Sequence, residues 1–588
     1  MKKLGLLISL LMIASMLGAC ATPTPEVIEK VVTKEVEKVI TKVIKETVKE
    51  TVIVEGTPQV VEKEVTKIVE QVVTATPVPS EPVFLRYADK AGDLGTMDPH
   101  FAAATQDRNL VDMLYNALVR YKPGDGSVFE ADLAEALPEP ELVDGKQVWT
   151  FNLRRGVMCH PSEAVDSYEL TSEDVVWSLQ KSANADTSAY AGEYAGMTVE
   201  AVDTYTVKIT LDNPISPVLF FPKVSDYAGG FIVCKKAYEA VGADDFKTHP
   251  VGTGPFMFGS YSPQDKVVLV ANPDYFRGRP LLDGVEYRFM PELNSRELGL
   301  ESGELDVING AAEGIWVERM NAKEGIRVDV YGVGEVATIH FNTTVEPLDN
   351  PLVRQAIAYA LDRDEFLALF GAPVAENVYS QVPVKFLAGG LTQAEVAELG
   401  LEYAFDRDKA KELLAEAGYA DGFELEMVSS ERESYLKNYE SMQAQLAEVG
   451  IDIKINVVDH SSMHKLIRED ANPIVIYVAW RPNADVYLTR FYHSDSIVVT
   501  GAKPDTNFSH YTGIDDLIEA ARIELNADKQ IQMWKDAQIK ILEDMVAYPL
   551  QYQNQVTARR DYVDYGHELK SVMGLYAQFD ETTRIVGK

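Results

Sequence analysis

Side chains suited to binding a small molecule are concentrated in one loop, Trp480–Asp485. The loop follows Pro473–Ala479, an apolar run rich in valine and isoleucine that predicts a buried strand. It offers an indole, a guanidinium, an amide and a carboxylate, from Trp480, Arg481, Asn483 and Asp485. Ligands of α/β proteins commonly lie beyond the C-terminal ends of strands. The loop therefore predicts a binding site, with an ordinary surface loop as the alternative.

Signs of catalysis or metal binding are weak elsewhere in the chain. His460 and His464 are four residues apart and would share one face of a helix. Such a pair can bind a metal ion, but no third ligand is apparent, so we expect two solvated histidines and no metal site. The chain has no Gly-x-Ser-x-Gly, zinc-protease or Walker motif. We therefore expect no enzyme activity and no cofactor.

The stretch that must position much of the fold begins at Gly252 and Gly254, within H-P-V-G-T-G-P-F. Glycine adopts backbone angles that a Cβ would forbid, so a tight turn is expected at this point. Strand-forming runs at 256–261 and 267–271 flank Ser262–Asp265, and this pattern predicts a β-hairpin.

Alternating elements are predicted through most of the remaining chain. In the first half, the pattern predicts strand Phe84–Ala88, helix Gln106–Tyr115, strand Gln147–Leu153 and helix Val175–Ser182. In the second half, it predicts helix Asp406–Ala417, strand Phe423–Val428, helix Glu440–Val449 and strand Ile451–Val457. This β–α–β alternation is typical of an α/β lobe with a sheet inside and helices outside.

Several sequence blocks together resemble one protein family. V-G-T-G-P-F is followed about fifteen residues later by N-P-D-Y-F-R-G. Upstream lie L-x-T-M-D-P-H, D-G-K-x-x-x-F-x-L-R-x-G-V and L-T-x-E-D-V-V-W-S-L, in that order. These blocks resemble bacterial solute-binding proteins of family 5, the peptide, oligopeptide and nickel receptors of ABC importers. The resemblance covers roughly residues 84–588.

The resemblance implies an α/β fold of the two-lobed, periplasmic-binding-protein type, in the large form with an extra subdomain. Lobe I would comprise residues 84–334 and 549–588, and lobe II residues 335–548. A solute would bind in the cleft, the lobes would close, and the closed form would dock on a membrane permease driven by an ATPase. Closure of this kind requires that the solute binds the closed state better than the open one.

The resemblance also implies which residues contact the solute. In the family, the tryptophan at the strand end lines the cleft, and Trp480 matches it. Peptide receptors place an aspartate three residues later to pair with the peptide amine, whereas this chain has Asn483, and Asp485 could substitute. Peptides, sugars, opines and other solutes thus stay open as ligands. We also expect Asp98 and Tyr552 to contact the ligand, together with Arg481 of the loop.

The N-terminus resembles the signal peptide of a lipoprotein. Residues 1–20 combine Lys2 and Lys3 with an apolar core that is too short to span a membrane comfortably. The segment ends Leu-Gly-Ala-Cys, which resembles a lipobox and implies lipidation of Cys20. A plain signal peptide is the alternative. We expect a protein held by its lipid at the outer face of the cytoplasmic membrane, and therefore periplasmic or extracellular.

Residues 21–82 form a low-complexity segment of Val, Ile, Glu, Lys and Thr with proline-rich ends. Val32, Val36, Val39 and Val43 recur at helical or coiled-coil spacing. We therefore predict a partly helical stalk without chemistry, which could self-associate, in front of a solute-binding domain at 83–588. A disordered tether is the alternative.

Composition narrows the classes of partner. The formal net charge of −36 makes nucleic acid an unfavourable partner. Of the three cysteines, Cys159 and Cys234 remain after Cys20 is set aside, and they are either a disulfide or two buried thiols. The sequence therefore predicts the lipid-anchored solute receptor of an ABC importer. An extracellular hydrolase on a similar scaffold and a stalked surface adhesin are the alternatives.

Overall fold

The computed structural model describes residues 38–54, 57–73, 82–572 and 574–587. The predicted signal peptide 1–20 and the predicted lipid site Cys20 lie outside the described residues. The described chain forms two separate compact units, one that contains residues 38–73 and one that spans Pro82–Lys588.

The first unit contains a β-hairpin, so the prediction of a partly helical stalk is wrong for these residues. Strands Lys38–Val54 and Thr57–Val73 pair antiparallel, with Lys38 opposite Val73. The segment is dominated by valine, isoleucine and threonine. Branching at Cβ restricts these side chains in a helix and suits them to a strand, so composition outweighs the helical spacing of the valines.

In chain order, the strands of the described residues are β1 Lys38–Val54, β2 Thr57–Val73, β3 Phe84–Asp89, β4 Val119–Lys122, β5 Asp125–Ala131, β6 Glu141–Val143, β7 Lys146–Asn152, β8 Met158–Cys159, β9 Tyr168–Glu169, β10 Met197–Asp203, β11 Thr206–Leu211, β12 Phe256–Ser262, β13 Lys266–Ala271, β14 Gly284–Phe289, β15 Val307–Asn309, β16 Ile326–Phe341, β17 Ala375–Asn377, β18 Phe423–Ser430, β19 Ile451–Val458, β20 Ile474–Ala479, β21 Ala547–Arg560, β22 Val563–Asp564 and β23 Arg584–Ile585.

The α-helices are α1 Thr105–Leu114, α2 Ser172–Ser182, α3 Pro217–Phe220, α4 Lys235–Val241, α5 Leu293–Ser302, α6 Gly314–Asn321, α7 Pro351–Ala360, α8 Arg363–Ala368, α9 Gln393–Glu398, α10 Arg407–Glu416, α11 Glu433–Ala447, α12 His460–Arg468, α13 Ala484–Tyr492, α14 Asp515–Ile523 and α15 Ala527–Glu543. Among the described residues, no helix combines the length and the apolar character needed to cross a bilayer.

A mixed sheet of nine strands is the backbone of the second unit. Its order is β12-β13-β14-β3-β15-β21-β16-β20, and β17 pairs with β21. The predicted hairpin is present as β12 and β13, which pair antiparallel. The predicted β–α–β unit is present as β18, α11 and β19, whose strands run parallel. The α/β class is thus confirmed.

The second unit has two lobes, each with its own core. The core of lobe I gathers buried side chains from residues 85–307 and 563–579, including Trp149 and Tyr287. The principal core of lobe II gathers side chains from residues 337–550, including Phe341 and Tyr548. The predicted lobe limits at 334/335 and 548/549 stay a prediction.

Strands β16 and β21 pass from one lobe to the other. Their first paired segment runs from Ile326 opposite Arg560 to Tyr331 opposite Gln555. The register then shifts, and pairing resumes at Glu335. Between the two cores, the chain therefore crosses as a pair of hydrogen-bonded strands whose register shifts twice, between Tyr331 and Glu335 and between Ala337 and Thr338.

A disulfide joins Cys159 and Cys234, whose Cα atoms are 6.2 Å apart. Of the two alternatives left open by the sequence, the structure has the paired cysteines. The bond closes a loop of 75 residues within lobe I.

Candidate functional site

A small cavity lies in lobe I, beside Tyr227, whose ring contacts Trp480 of lobe II. Its lining combines two carboxylates, one guanidinium and several aromatic rings: Pro99, Ala102, Arg108, Val111, Asp112, Tyr121, Asp226, Tyr227, Phe231, Gly574, Tyr576 and Gln578. A second small cavity shares Asp112, Tyr121, Asp226 and Gln578 with the first. The two cavities thus meet at the carboxylates.

Asp112 reaches the cavity from the last turn of α1, and the glycine stretch positions this helix end. A Cβ at Gly252 would lie 2.1 Å from the carbonyl oxygen of Leu114, and a Cβ at Gly254 would lie 2.4 Å from its carbonyl carbon. The N–H of Gly254 donates to the same oxygen at 2.9 Å. Neither glycine has a positive φ, so the expected need for backbone angles closed to other residues is not met. They allow close approach to the end of α1.

Asp226 faces the same space from the loop before Tyr227. The backbone N–H of Tyr121 donates to its Oδ1 at 2.8 Å. Burial, followed by the neighbouring Asp112 carboxylate, raises the pKa of Asp226 well above its usual range. Burial likewise raises the pKa of Asp112 to about 7, although Gln578 donates a hydrogen bond to it at 3.2 Å. Both carboxyl groups therefore hold protons more tightly than an exposed aspartate does.

The nearby cations do not neutralise these carboxylates directly. Arg120 pairs with Glu130 at 2.9 Å and approaches Glu581 at 3.7 Å. Arg108 lies over the ring of Tyr227, with its Cζ 5.6 Å from the ring centre. Its Nη2 also donates to the hydroxyl of Tyr190 at 3.4 Å. Each guanidinium is thus engaged with other groups.

Tyr121 brings an unpartnered hydroxyl to the shared wall of the two cavities. Its side chain is 4% exposed, and its Oη makes no hydrogen bond of normal geometry, although Ser225 lies nearby. A buried hydroxyl without a partner is costly. A ligand group or a water in the cavity would satisfy it.

Trp480 contacts a residue of the first cavity from lobe II. Its ring meets that of Tyr227 edge to face, with centres 5.5 Å apart. The indole N–H is buried and has no hydrogen-bond partner. Trp480 itself lies outside the lining of the cavity, and its predicted contact with a ligand stays a prediction.

The three polar residues that follow Trp480 are engaged within the protein. Arg481 donates to the carbonyl of Trp480 at 2.8 Å, and its guanidinium lies over the ring of Phe491. Asn483 caps α13, because its side chain accepts from Val486 N at 3.0 Å. Asp485 is buried and accepts from Arg522 at 3.3 Å. Their predicted contacts with a ligand stay predictions.

Asp98 and Tyr552 lie outside the lining of the cavities described above. Asp98 is 1% exposed and forms a buried ion pair with Lys181 at 2.9 Å. Tyr552 is buried on β21 and meets Phe386 edge to face. This placement favours structural roles for both side chains, and their predicted ligand contacts stay predictions.

The two histidines of α12 contact each other, with His460 Nε2 and His464 Nε2 3.1 Å apart. They are half-buried rather than solvated, and Tyr435 packs against both. Within the described ranges, no group of three or more His, Cys, Asp or Glu residues could hold a metal ion.

Comparison with known proteins gives consistent matches. A model of the bacterial extracellular solute-binding proteins, family 5 Middle, matches residues 128–497. The structure of MoaA from A. tumefaciens R10 in complex with mannopinic acid is 39% identical, with a TM-score of 0.71 over 86% of this chain and 100% of that one.

Two peptide-binding proteins are more distant. DppA from Helicobacter pylori, in complex with the peptide STSA, is 25% identical with a TM-score of 0.69, over 86% of this chain and 98% of that one. Di/tripeptide-binding protein 2 of Pseudomonas aeruginosa is 26% identical, over 76% of this chain and 86% of its own length. The matched proteins are binding proteins and not enzymes.

Proposed function

Because the chain belongs to the bacterial extracellular solute-binding proteins of family 5, we propose that it is the lipid-anchored receptor of an ABC importer. It captures a small solute between its lobes and delivers it to a membrane permease and its ATPase. Proteins of this family act outside the cytoplasm, which agrees with the export signal expected from the sequence.

The observation that carries this proposal is the contact between Tyr227, which lines the first cavity, and Trp480. The two rings come from different lobes, so their contact depends on lobe closure. Arg490 of α13 and Glu193 of lobe I also approach each other, at 3.5 Å. A solute held between the lobes at these contacts would be enclosed by closure, as a receptor requires.

The relatives point to two classes of solute. One related structure contains mannopinic acid, and another contains a peptide. The higher identity to the mannopinic acid complex, 39% against 25%, favours a small solute of the former kind. The presence of Asn483 where peptide receptors have an aspartate supports the same preference.

Binding is tested by native mass spectrometry of protein purified without refolding, followed by calorimetric titration with mannopinic acid and with dipeptides. Trp480→Ala should weaken binding by at least about 1 kcal/mol, because it removes a buried aromatic contact. Trp177→Ala is the matched control, since Trp177 is also half-buried but packs on Tyr238. Equal effects of the two substitutions, or turnover of a bound solute, would contradict the proposal.

Membrane anchoring is tested separately through Cys20. Cys20→Ser should leave the protein unprocessed or release it from membranes, because a hydrophilic protein needs its acyl chains to stay bound. Mature wild-type protein that carries no lipid on its N-terminus would contradict the anchor and leave solute binding unaffected.

A further inference from the structure

The carboxylates of lobe I form a pair without a cation of their own. Asp112 and Asp226 line both cavities from different chain segments. The protein groups that donate to them are neutral: the amide of Gln578 to Asp112, and the backbone N–H of Tyr121 to Asp226. Neutral donors orient the carboxylates but do not offset their charge.

The other charged groups near Asp112 and Asp226 do not balance the negative charge that the pair carries when it is ionised. Asp132 faces both carboxylates from the end of β5, and Asp580 faces Asp112 from the C-terminal segment. Both add negative charge. Arg120 on β4 is the cation that acts on both, and it is held by two glutamates. Arg108 on α1 completes the charged groups of the first cavity, and the tyrosines that face the pair are Tyr121, Tyr227 and Tyr576.

We infer that Asp112 and Asp226 are the subsite that receives a protonated amine of the solute. An ammonium carries three N–H donors and a positive charge, so it can bond to both carboxylates and to the oxygen of Tyr121. That hydroxyl is buried and without a partner at the same wall. The faces of Tyr227 and Tyr576 also suit a cation. This inference rests on the proposed function and specifies the class of solute.

Other occupants fit this wall less well. An anionic group would gain no ionic contact from the pair and would be repelled by each carboxyl group that is ionised. A metal ion would need more ligands than the pair supplies, and the part of the chain that the structure describes has no suitable group of three. A protonated amine can balance the charge of the two carboxylates and also donate a hydrogen bond to the hydroxyl oxygen of Tyr121. The amine site is then in lobe I and not at the position of Asn483 in lobe II.

Proton release provides a readout that needs no substitution. The pKa of Asp112 is raised to about 7, and that of Asp226 is raised well above its usual range. A cation favours the ionised form and lowers both values. Amine binding at pH 7 should therefore release protons, and affinity should rise between about pH 5.5 and 8.

The experiment titrates full-length protein by calorimetry with three probes: mannopinic acid, a pool of dipeptides with free amino groups, and the same pool N-acetylated. Each titration at pH 7 uses two buffers of different ionisation enthalpy, which reports proton release. Asp112→Asn and Asp226→Asn are compared with Asp166→Asn, an exposed carboxylate far from the cavity lining.

The expected result is that Asp112→Asn and Asp226→Asn each weaken the bound probe at least tenfold, with Asp166→Asn within twofold, and that wild type releases protons. If peptides bind, acetylation should also weaken them at least tenfold. Unchanged affinity in both variants, or equal binding of acetylated peptides, overturns the inference but keeps the proposed function. If a variant fails to melt cooperatively, the proton measurement on wild type becomes the test. The absence of proton release on solute binding then overturns the inference by itself. Binding of none of the probes contradicts both proposals.

Discussion

The wall of the lobe I cavity and the loop Trp480–Asp485 of lobe II both carry polar side chains, but they use them differently. In the loop, Asn483 caps a helix and Asp485 pairs with Arg522. In the cavity wall, the half-buried Asp112 and Asp226 face a shared space and accept hydrogen bonds only from neutral donors. Polar groups that are already satisfied stabilise the fold, whereas uncompensated groups favour a ligand that completes them.

The comparison also concerns how firmly each region is held. Lobe I has the disulfide Cys159–Cys234, and residues 335–548 contain no cysteine. His160, next to Cys159, donates its backbone N–H to the oxygen of Gly252 at 2.8 Å. Gly252 in turn contacts the end of α1, which carries Asp112. The disulfide is therefore connected, through His160 and Gly252, to the end of α1 that forms part of the cavity wall.

The largest expected effect on stability is that of removing the disulfide Cys159–Cys234. Cys159→Ser with Cys234→Ser should lower the free energy of unfolding by about 2–5 kcal/mol, because the unfolded chain regains the freedom of a long loop. Urea denaturation of the oxidised wild type and the double variant measures the difference. Wild type kept in a reducing agent is the control and should lose a similar amount. A change below about 0.5 kcal/mol would show that the bond does not support lobe I.

The next effect concerns Asp485 in the loop. Asp485→Asn should lower the free energy of unfolding by about 1–3 kcal/mol, since Arg522 loses its charged partner. It should leave the preference for amine-bearing over neutral probes unchanged. Thermal melts and parallel titrations measure the two quantities. A tenfold loss of amine binding at constant stability would instead make Asp485 the counter-charge of the solute.

A smaller effect is the dependence of stability on pH in the absence of solute. The pKa of Asp112 is raised to about 7 in the folded protein, so the folded state binds more protons than the unfolded state between about pH 4 and 7. Stability from this group is therefore greatest at low pH and falls as pH rises through 7. Each pKa unit corresponds to about 1.4 kcal/mol, but Asp112 is only half-buried and solvent screens its charge. Relative to Asp112→Asn, wild type should therefore lose roughly 1 kcal/mol over this range. Urea titrations at pH 5 and pH 8 compare the two proteins, and parallel curves would contradict the prediction.

The smallest effect is that of Tyr121→Phe. Its hydroxyl makes no hydrogen bond of normal geometry, so removing it loses no hydrogen bond and should not lower the free energy of unfolding. Tyr115→Phe is the matched control, because the buried Tyr115 donates to Met97 O at 3.2 Å and should cost about 1 kcal/mol. Thermal melts measure both. A loss in Tyr121→Phe equal to that in the control would mean that the hydroxyl is already satisfied.

Local signals predicted many elements well. Helix α2 begins at Ser172, where Asp174 accepts from the N–H of Thr171 in a capping interaction. Helix α10 ends before Gly418, which has a φ of 91°. Helix α11 begins at Glu433, seven residues before its predicted start. The prediction began too late because the polar residues in the first turns of the helix gave no clear helical pattern.

The candidate site was predicted only in part. A strand end and a family resemblance both singled out Trp480; in the structure it contacts Tyr227 of the cavity lining, and its contact with a ligand stays a prediction. Asp112 and Asp226 are 114 residues apart and belong to no motif, so only tertiary packing brings them together. Gly252 was predicted to matter, but its role depends on a contact with Leu114, which is distant in sequence.

The paired crossing of β16 and β21 has a consequence for how the receptor would move. Two strands hydrogen-bonded to each other cannot twist independently, so we expect opening to bend the pair near its register shifts, between Tyr331 and Glu335 and between Ala337 and Thr338. A connection of this kind favours rotation of the two lobes about a single axis. With few relative orientations of the lobes available, the conformational entropy lost when solute binding closes them is small. The free energy of solute binding then has to exceed only the difference in free energy between the open and closed states. Contacts such as that between Tyr227 and Trp480 contribute to this difference.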